Sequence, residues 1–378
     1  MTDIKQESLD LHAKLRGKIR IEATCEIESM KDLTLVYSPG VGAVSEAIAQ
    51  DPSKTDALTW RKNVVAIFSD GSAVLGLGDI GPLAALPVLE GKCAIFKRFS
   101  GIDAIPLILD TKEPDAIVET IVHLAPSFGA IQLEDISAPR CFEIERRLME
   151  RLDMPVMHDD QHGTAIVILA GLMNALKVVE KKIGSIRVVM NGAGAAGIAT
   201  ARLLHVAGVA DLVMCDRQGA IYEGRDGLND QKREAAAFTN RKKRSGSLAD
   251  VATGADVLIG VSAAGAFTID IVKSMANDPI VFALANPVPE ILPDVAAEAG
   301  VAVLATGRSD FPNQVNNALC YPGLFRGMLD TGIKRVTDEI KLRAAYAIAA
   351  AVPLPTADKI IPSIFDEGLH ELVAQSVL

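Results

Sequence analysis

The chain has 378 residues, 49% of them hydrophobic, with a net charge of −10 at pH 7; it is long enough for about two domains, and its acidity argues against nucleic acid or an anionic membrane surface as the main partner. Five cysteines (Cys25, Cys93, Cys141, Cys215, Cys320) are scattered and never form CxxC, which reads as reduced thiols rather than a disulfide frame or a zinc site. The N-terminal stretch lacks an apolar signal region and no apolar run reaches the roughly 18 residues of a membrane span, so a soluble, cytoplasmic protein is expected.

Residues 1–30 are mixed and charged, with helical patterning at best. Tyr37-Ser38-Pro39-Gly40-Val41-Gly42 is a tight turn feeding a helix, an entry whose backbone N–H groups suit a carboxylate or phosphate. NVVAIFSDG (63–71) reads as a buried strand. GLGDIGPLAALPVLEGK (76–92) gives a Gly-rich loop, a short helix, and Lys92 just ahead of a strand, CAIF. AIPLILD (104–110) and AIQLED (130–135) are strands ending in acids, separated by a helix at 115–125; an amphipathic helix follows at 141–152. The stretch 154–164, MPVMHDDQHGT, organises the rest: an apolar strand runs into carboxylates, histidines and a glutamine, and Gly163-Thr164 then launches a buried helix. Strands alternating with helices mean a mostly parallel sheet.

The second half repeats the alternation. RVVMNGAGAAG (187–197) is strand, glycine turn and helix start, and LVMCD (212–216) is the next strand. A polar region, 217–250, contains a basic run at 241–244, read as a solvated loop. Three more strands follow at 255–263, 279–287 and 301–307, then Asn316-Asn317 and a mostly helical, alanine-rich end. The fold expected is α/β in two domains, residues 1–160 and 161–378, the second of Rossmann type.

Three constellations carry chemistry. In Gly192-Ala193-Gly194-Ala195-Ala196-Gly197, the first glycine makes the turn, the second admits a pyrophosphate, and the third lets helix pack on strand. A glycine turn kept only for packing is the alternative. Asp216 closes the next strand 19 residues after Gly197, where a carboxylate holds a ribose hydroxyl and disfavours a 2′-phosphate. Arg217 beside it, with Lys232 and Arg233 further on, leaves NADP open behind NAD. Second, Glu134-Asp135 and Asp159-Asp160 end two strands, and in a parallel sheet those ends share one edge. Four carboxylates there need a cation between them, and oxygen ligands suit Mg²⁺ or Mn²⁺; helix N-capping is the alternative. His158 and His162 are left outside the ligand set. Third, Lys92 near such a cation and in apolar surroundings loses its proton more easily, and Tyr37 sits in the turn before a helix; taken alone, a surface lysine and a packed tyrosine are the better readings of the two. Asn286, Asn316 and Asn317 suit a carboxylate or a nicotinamide amide, or simply turns.

Together these motifs resemble malic enzyme, over nearly the whole chain: YSPGV (37–41), SDGSAVLGLGDIGP (69–82), EGK (90–92), QLEDI (132–136), HDDQHGTA (158–165), NGAGAAG (191–197), ANP (285–287) and FPNQVNNALCYPG (311–323). The length is similar to the compact bacterial type. The first half also resembles the malic-enzyme part of bacterial fusions with a phosphotransacetylase-like domain. The resemblance implies metal-dependent oxidative decarboxylation of L-malate to pyruvate and CO₂ with reduction of NAD⁺ or NADP⁺, in a homodimer. It implies Tyr37 as general acid and Lys92 as general base, with Asp159 beside them. Glu134, Asp135 and Asp160 would bind the metal. Asn286 and Asn317 would touch substrate, and Asn286 also the nicotinamide. The larger eukaryotic enzymes grip a substrate carboxylate with an arginine where this chain has Ser72-Ala73; Arg308 is the substitute considered. The site is expected in a cleft between the two domains. A metal-independent 2-hydroxy-acid dehydrogenase and a non-catalytic cofactor sensor are the competing readings.

Overall fold

The computed structural model describes residues 4–74 and 76–378. Residues 4–63 hold helices α1 (Ile4–Leu15), α2 (Met30–Val36), α3 (Val41–Gln50) and α4 (Thr55–Leu58), none of which buries a residue. Their apolar side chains, Leu9, Met30 and Leu35 among them, face solvent.

Strand β1 (Val64–Ser69) is buried throughout. Both of its faces are covered: Val65 and Ile67 enter one core, while Val64, Ala66 and Phe68 enter another. That is the period-two alternation of a strand inside a sheet packed on both sides. Helix α5 (Pro82–Ser100) leads to β2 (Asp103–Ile108), α6 (Pro114–Leu124) to β3 (Ala130–Leu133), and α7 (Arg140–Arg151) to β4 (Val156–His158). The four strands are parallel in the order β2-β1-β3-β4. The chain crosses from one side of β1 to the other between β2 and β3, so a crevice opens beyond the C-terminal ends of β1 and β3.

The expected strand CAIF does not form. Residues 93–96 lie inside α5, where Leu89, Cys93 and Phe96 are buried at helical spacing. Helix α8 (Asp159–Val178) also differs from expectation, starting directly on His158 rather than at Gly163-Thr164. Its first turn holds Asp159 and Asp160, acids at the end where the helix dipole favours them. The run from Ala165 to Leu172 is buried on every side, as in a helix enclosed by protein. It joins a core shared by Val65 and Ile67 of the first sheet and by Val188 and Met190 of the second.

The second sheet contains β5 (Arg187–Asn191), β6 (Asp211–Asp216), β7 (Gly219–Ala220), β8 (Val257–Gly260), β9 (Ile280–Ala283) and β10 (Val303–Thr306). Helices α9 (Ala195–Val206), α10 (Asp230–Phe238), α11 (Leu248–Ala252), α12 (Ile269–Lys273) and α13 (Pro293–Glu298) connect them. The order is β10-β9-β8-β5-β6-β7, parallel except for β7. The basic run is structural. Arg244 grips Asp211 at 2.6 and 2.8 Å, and Lys243 faces Glu223, so a loop is tied to the start of β6.

Helices α14 (Tyr321–Thr331), α15 (Asp338–Ala350) and α16 (Leu369–Gln375) return to the first half. Phe96 of α5 stands edge-on to Tyr321 and Phe325, with ring centroids 4.8 and 5.5 Å away. Among the described residues no helix is long and apolar enough to cross a membrane, and all five cysteines are free thiols.

Candidate active site

The acids gather at the switch point of the first sheet. Successive side chains of a strand point to opposite faces. Asp135 instead adopts a left-handed backbone (φ 55°), a conformation that Asp tolerates. The turn there lets both Glu134 and Asp135 offer oxygens to one space. With Asp160 they place three carboxylate oxygens within 4.8 Å of one another. Asp160 Oδ2 also accepts the main-chain N–H of Asp135 at 2.8 Å, locking the two strand ends together.

Lys92 reaches this cluster from α5. Its Nζ lies 2.5 Å from Asp159 Oδ2 and 2.9 Å from Glu134 Oε1, and it donates to Asn317 Oδ1 at 3.2 Å. The ammonium stands 4.6 Å from the centre of the Tyr321 ring. Burial disfavours its charge, but Asp159 and Glu134 outweigh burial and hold Lys92 well above the ordinary lysine range. The protein's own carboxylates therefore favour the ammonium of Lys92; the expectation of ready proton loss concerned Lys92 beside a cation. Burial likewise pushes Glu134 well up, against the pull of Lys92, with Asp160, Asp159 and Asp135 adding to the rise. Burial raises Asp159 despite Lys92. One lysine does not neutralise this group. A divalent cation fits its donor set: oxygen ligands from three carboxylates, two of them buried.

Asp159 owes its position to a glycine. A Cβ at Gly163 would stand 1.9 Å from Asp159 Oδ1, so no side chain is tolerated one turn above the buried carboxylate. Behind the acids lies a network that sequence reading missed, centred on Glu145 of α7. Glu145 Oε1 accepts the main-chain N–H of His158 at 2.7 Å. Its Oε2 lies 3.1 Å from Gln161 Nε2 and 3.0 Å from His162 Nε2. Gln161 in turn lies 3.0 Å from His158 Nδ1, and His158 Nε2 is 3.1 Å from Asp160 Oδ2. The signal for Glu145 was present: it shares the buried stripe of Cys141, Ile144 and Leu148.

The glycine loop follows β5 at the switch point of the second sheet. Gly192 has φ +122°, and a Cβ there would meet Val261 O at 2.5 Å; beside Gly194, by contrast, nothing lies within 4 Å. The open space beside Gly194 is what a glycine turn needs if backbone is to approach a pyrophosphate. Asn191 Nδ2 donates to Ser262 Oγ at 2.8 Å, and buried Glu290 takes the main-chain N–H groups of Ser262 and Ala285 at 2.8 and 2.9 Å. Asp216 does close β6, but its carboxylate is occupied. Arg225 donates to both of its oxygens at 2.9 and 2.5 Å, Lys232 to one at 2.7 Å, and Gln218 N to the other at 3.0 Å. Those bonds use the four acceptor positions of a carboxylate. Arg217 is exposed.

A cavity of about 660 Å³ joins the two edges. Lys92, Glu134, Asp135 and Asp160 line one end, with Asn317 and Tyr321; Ala196, Ser262, Asn286 and Gly307 line the other. Tyr37 is not brought there. It ends α2, is 68% exposed, and lies outside the cavity lining. Helices α1–α3 around it bury no residue of their own. Arg308, the substitute considered, lies outside the cavity lining and is paired with Asp310 at 2.8 and 2.6 Å, donates to Pro287 O, and covers the Phe311 ring.

Fold and site together describe an α/β protein with a dinucleotide-binding domain and a cluster of three carboxylates at the edge of its first sheet. The chain belongs to the malic enzyme family. Residues 16–149 match the family described as malic enzyme, N-terminal domain, and residues 161–374 the one described as malic enzyme, NAD binding domain. It is 54% identical over 377 residues to a bifunctional malic/malolactic enzyme of Bacillus subtilis, covering 99% of this chain and 92% of that protein. An NAD-dependent malic enzyme of Geobacillus stearothermophilus is 54% identical over 364 residues, covering 96% and 76%. The crystal structure of an NAD-dependent malic enzyme from Thermotoga maritima superposes with a TM-score of 0.95 at 47% identity, covering 98% of both chains.

Proposed function

We propose that this protein oxidatively decarboxylates L-malate to pyruvate and CO₂ with a nicotinamide dinucleotide as oxidant. The observation that carries this reading is the junction of Lys92, Asp159 and Asn317 with the Glu134-Asp135-Asp160 triad, in one cavity with the glycine loop's helix. Residues 1–160 are assigned the metal and substrate groups, and residues 161–378 the dinucleotide, with Asn317 and Tyr321 reaching back. When bound, a nicotinamide dinucleotide would supply the hydride acceptor and Mg²⁺ or Mn²⁺ would supply Lewis-acid stabilisation of negative charge, which side chains lack. Glu134, Asp135 and Asp160 hold that cation. Lys92 takes the C2 hydroxyl proton as the hydride leaves; for that it must be neutral, a form that a cation held by Glu134, Asp135 and Asp160 would favour, and Asp159 at 2.5 Å orients its amine. The resulting 2-oxo acid loses its distal carboxylate as CO₂, and Tyr37 protonates C3. Asn317 orients Lys92 and the substrate; Asn286 faces substrate and nicotinamide.

The protein is proposed to act as a homodimer in the cytoplasm, with Tyr37 supplied by a second copy. The observations behind this are the exposed phenol and the uncovered apolar side chains of α1–α3. Tyr37→Phe and Lys92→Ala should each be inactive alone. Co-expressed with different tags and purified as a hybrid, they should regain about half the wild-type rate, because a two-fold dimer then holds one intact site. An inactive hybrid would place Tyr37 in its own subunit's site, and an active Tyr37→Phe would place it outside the chemistry.

For the cofactor, the ribose end is proposed to accept both dinucleotides. Asp216 alone favours NAD⁺, as the sequence suggests. Its neutralisation by Arg225 and Lys232 removes the repulsion that would exclude a 2′-phosphate. The deciding experiment follows nicotinamide reduction with L-malate and NAD⁺ or NADP⁺, with Mn²⁺ or chelator, and quantifies pyruvate. Metal-dependent reduction with equimolar pyruvate is expected. Metal-independent reduction without pyruvate would mean a plain dehydrogenase.

A further inference from the structure

A dicarboxylate entering this cavity brings two negative charges into a space already lined by three acids. One carboxylate, with the C2 oxygen, suits the cation of the triad. The other needs a positive group of its own, because a desolvated carboxylate without a partner is costly. Two ammonium groups line the cavity, Lys18 and Lys92. Lys92 is committed to Glu134 and Asp159. Arg140 stands near the same sheet edge but is bound to Asp70 and Ser72, each at 2.9 Å. After β1, among the described residues, the wall offers Ala73 and Gly76, neither of them charged.

Lys18 is differently placed. Its main-chain N–H donates to Glu90 Oε2 at 3.0 Å, which fixes the backbone against α5, and its Nζ donates to Pro87 O at 2.6 Å. Glu90 thus hydrogen-bonds the main chain of Lys18 and acts on its ammonium only through space. A Cβ built on Gly91 would lie 3.5 Å from this Nζ, so the absence of a side chain at 91 lets the ammonium lie close to the helix. Pro87, Gly91 and Lys92 line the same wall. Lys18 Nζ therefore sits on the face of α5 that carries Lys92. An ammonium has three donors, and the carbonyl of Pro87 takes one.

We propose that Lys18 binds the carboxylate of malate distal to the hydroxyl, and so makes the site select 2-hydroxy dicarboxylates over 2-hydroxy monocarboxylates. This rests on the malate reading above. The contact is to the group that leaves as neutral CO₂. It is strong in the bound substrate and weakens as the C–C bond breaks, so it favours substrate binding rather than the transition state of decarboxylation.

The test is steady-state kinetics on the full chain with Mn²⁺ and the preferred dinucleotide, comparing wild type, Lys18→Ala and Lys18→Arg. Inhibition by oxalate is measured alongside, since both oxalate carboxylates fit at the cation and leave nothing for Lys18. In Lys18→Ala, KM for L-malate should rise about 10- to 100-fold, the loss of one charge-assisted hydrogen bond. The fall in kcat should stay within about threefold, and the oxalate inhibition constant should not move. Lys18→Arg should recover most of the loss. A malate KM within about twofold of wild type in Lys18→Ala removes Lys18 from the substrate site, as does a parallel rise in the oxalate constant, which would mean general damage at the acids. Wild-type protein that fails to turn over malate would instead overturn the functional reading, and with it the role of Lys18.

Discussion

The two sheets present opposite solutions at their C-terminal edges. Beyond β1, β3 and β4 the space is built from buried charges: Glu134, Asp135 and Asp159 are at most 3% exposed, and Lys92 is held between acids. Beyond β5 and β8 it is built from backbone, with glycines at 192, 194 and 197 and a side chain, Asn191, that braces a loop. The first edge can stabilise charge that develops during a reaction, because its groups are fixed and desolvated. The second can only hold a ligand that brings its own chemistry. Substitutions at the first edge should therefore strike turnover and metal binding, and those at the second should strike affinity and selectivity.

The largest break in this contrast is Lys92→Ala. It should lower kcat by about 1000-fold or more, the range of a lost acid–base group. NAD⁺ affinity, measured by fluorescence titration, should be unchanged. Intact turnover would remove Lys92 from the proton path. Next is Asp135→Asn, which should weaken Mn²⁺ binding, read by electron paramagnetic resonance of free Mn²⁺, by more than the about 10- to 100-fold that losing a supporting partner costs. An unchanged metal affinity would show that the triad is a packing feature and not a cation site.

The difference between the edges also explains what was legible in the sequence. The glycine loop was readable because its function lies in residue type and spacing, which a linear string displays. The acids were readable as pairs at strand ends, since β1, β3 and β4 are short apolar runs that stop where the charges begin. What failed depends on contacts from elsewhere in the chain. CAIF is apolar in either conformation, and only Tyr321 and Phe325 reveal that it is the buried face of a helix. Asp216 kept its expected place at the end of β6, but Arg225, nine residues on, lies back over it after the β7 turn. Glu145 looked like one more charge in a charged helix until its stripe was seen to be the buried one. Tyr37 sits in a recognisable motif, yet nothing local to YSPGV says which cleft it serves.

A smaller effect should come from the second edge. Asp216→Ser frees Arg225 and Lys232, which now spend their hydrogen bonds on a carboxylate. The ratio of kcat/KM for NADP⁺ to that for NAD⁺ should rise about tenfold, the worth of one charge-assisted contact to a 2′-phosphate. A constant ratio would mean that the ribose end lies away from Asp216 and that the clamp only stitches β6 to the loop beyond it.

The smallest effect tests how far the rigidity of the acidic edge depends on its support. Burial raises the pKa of Glu145, but the charge and hydrogen bond of His162, with His158, outweigh burial and bring it from the ordinary 4.5 down to about 2. A carboxyl whose pKa is depressed in the folded state contributes stability that is fully present above the unfolded value and is lost as pH falls toward the folded one. For Glu145 that window runs from pH 4.5 down to about 2. The contribution is on the order of 3 kcal/mol where His162 carries its charge. Glu145→Gln keeps the shape but not the charge. The stability gap between wild type and Glu145→Gln, from urea midpoints, should therefore narrow as pH drops through that window. A gap independent of pH would show that Glu145 acts by shape and neutral hydrogen bonding alone. The support beneath His158 and Asp160 would then be a matter of packing, and the charge of the first edge would end at the acids that face the cavity.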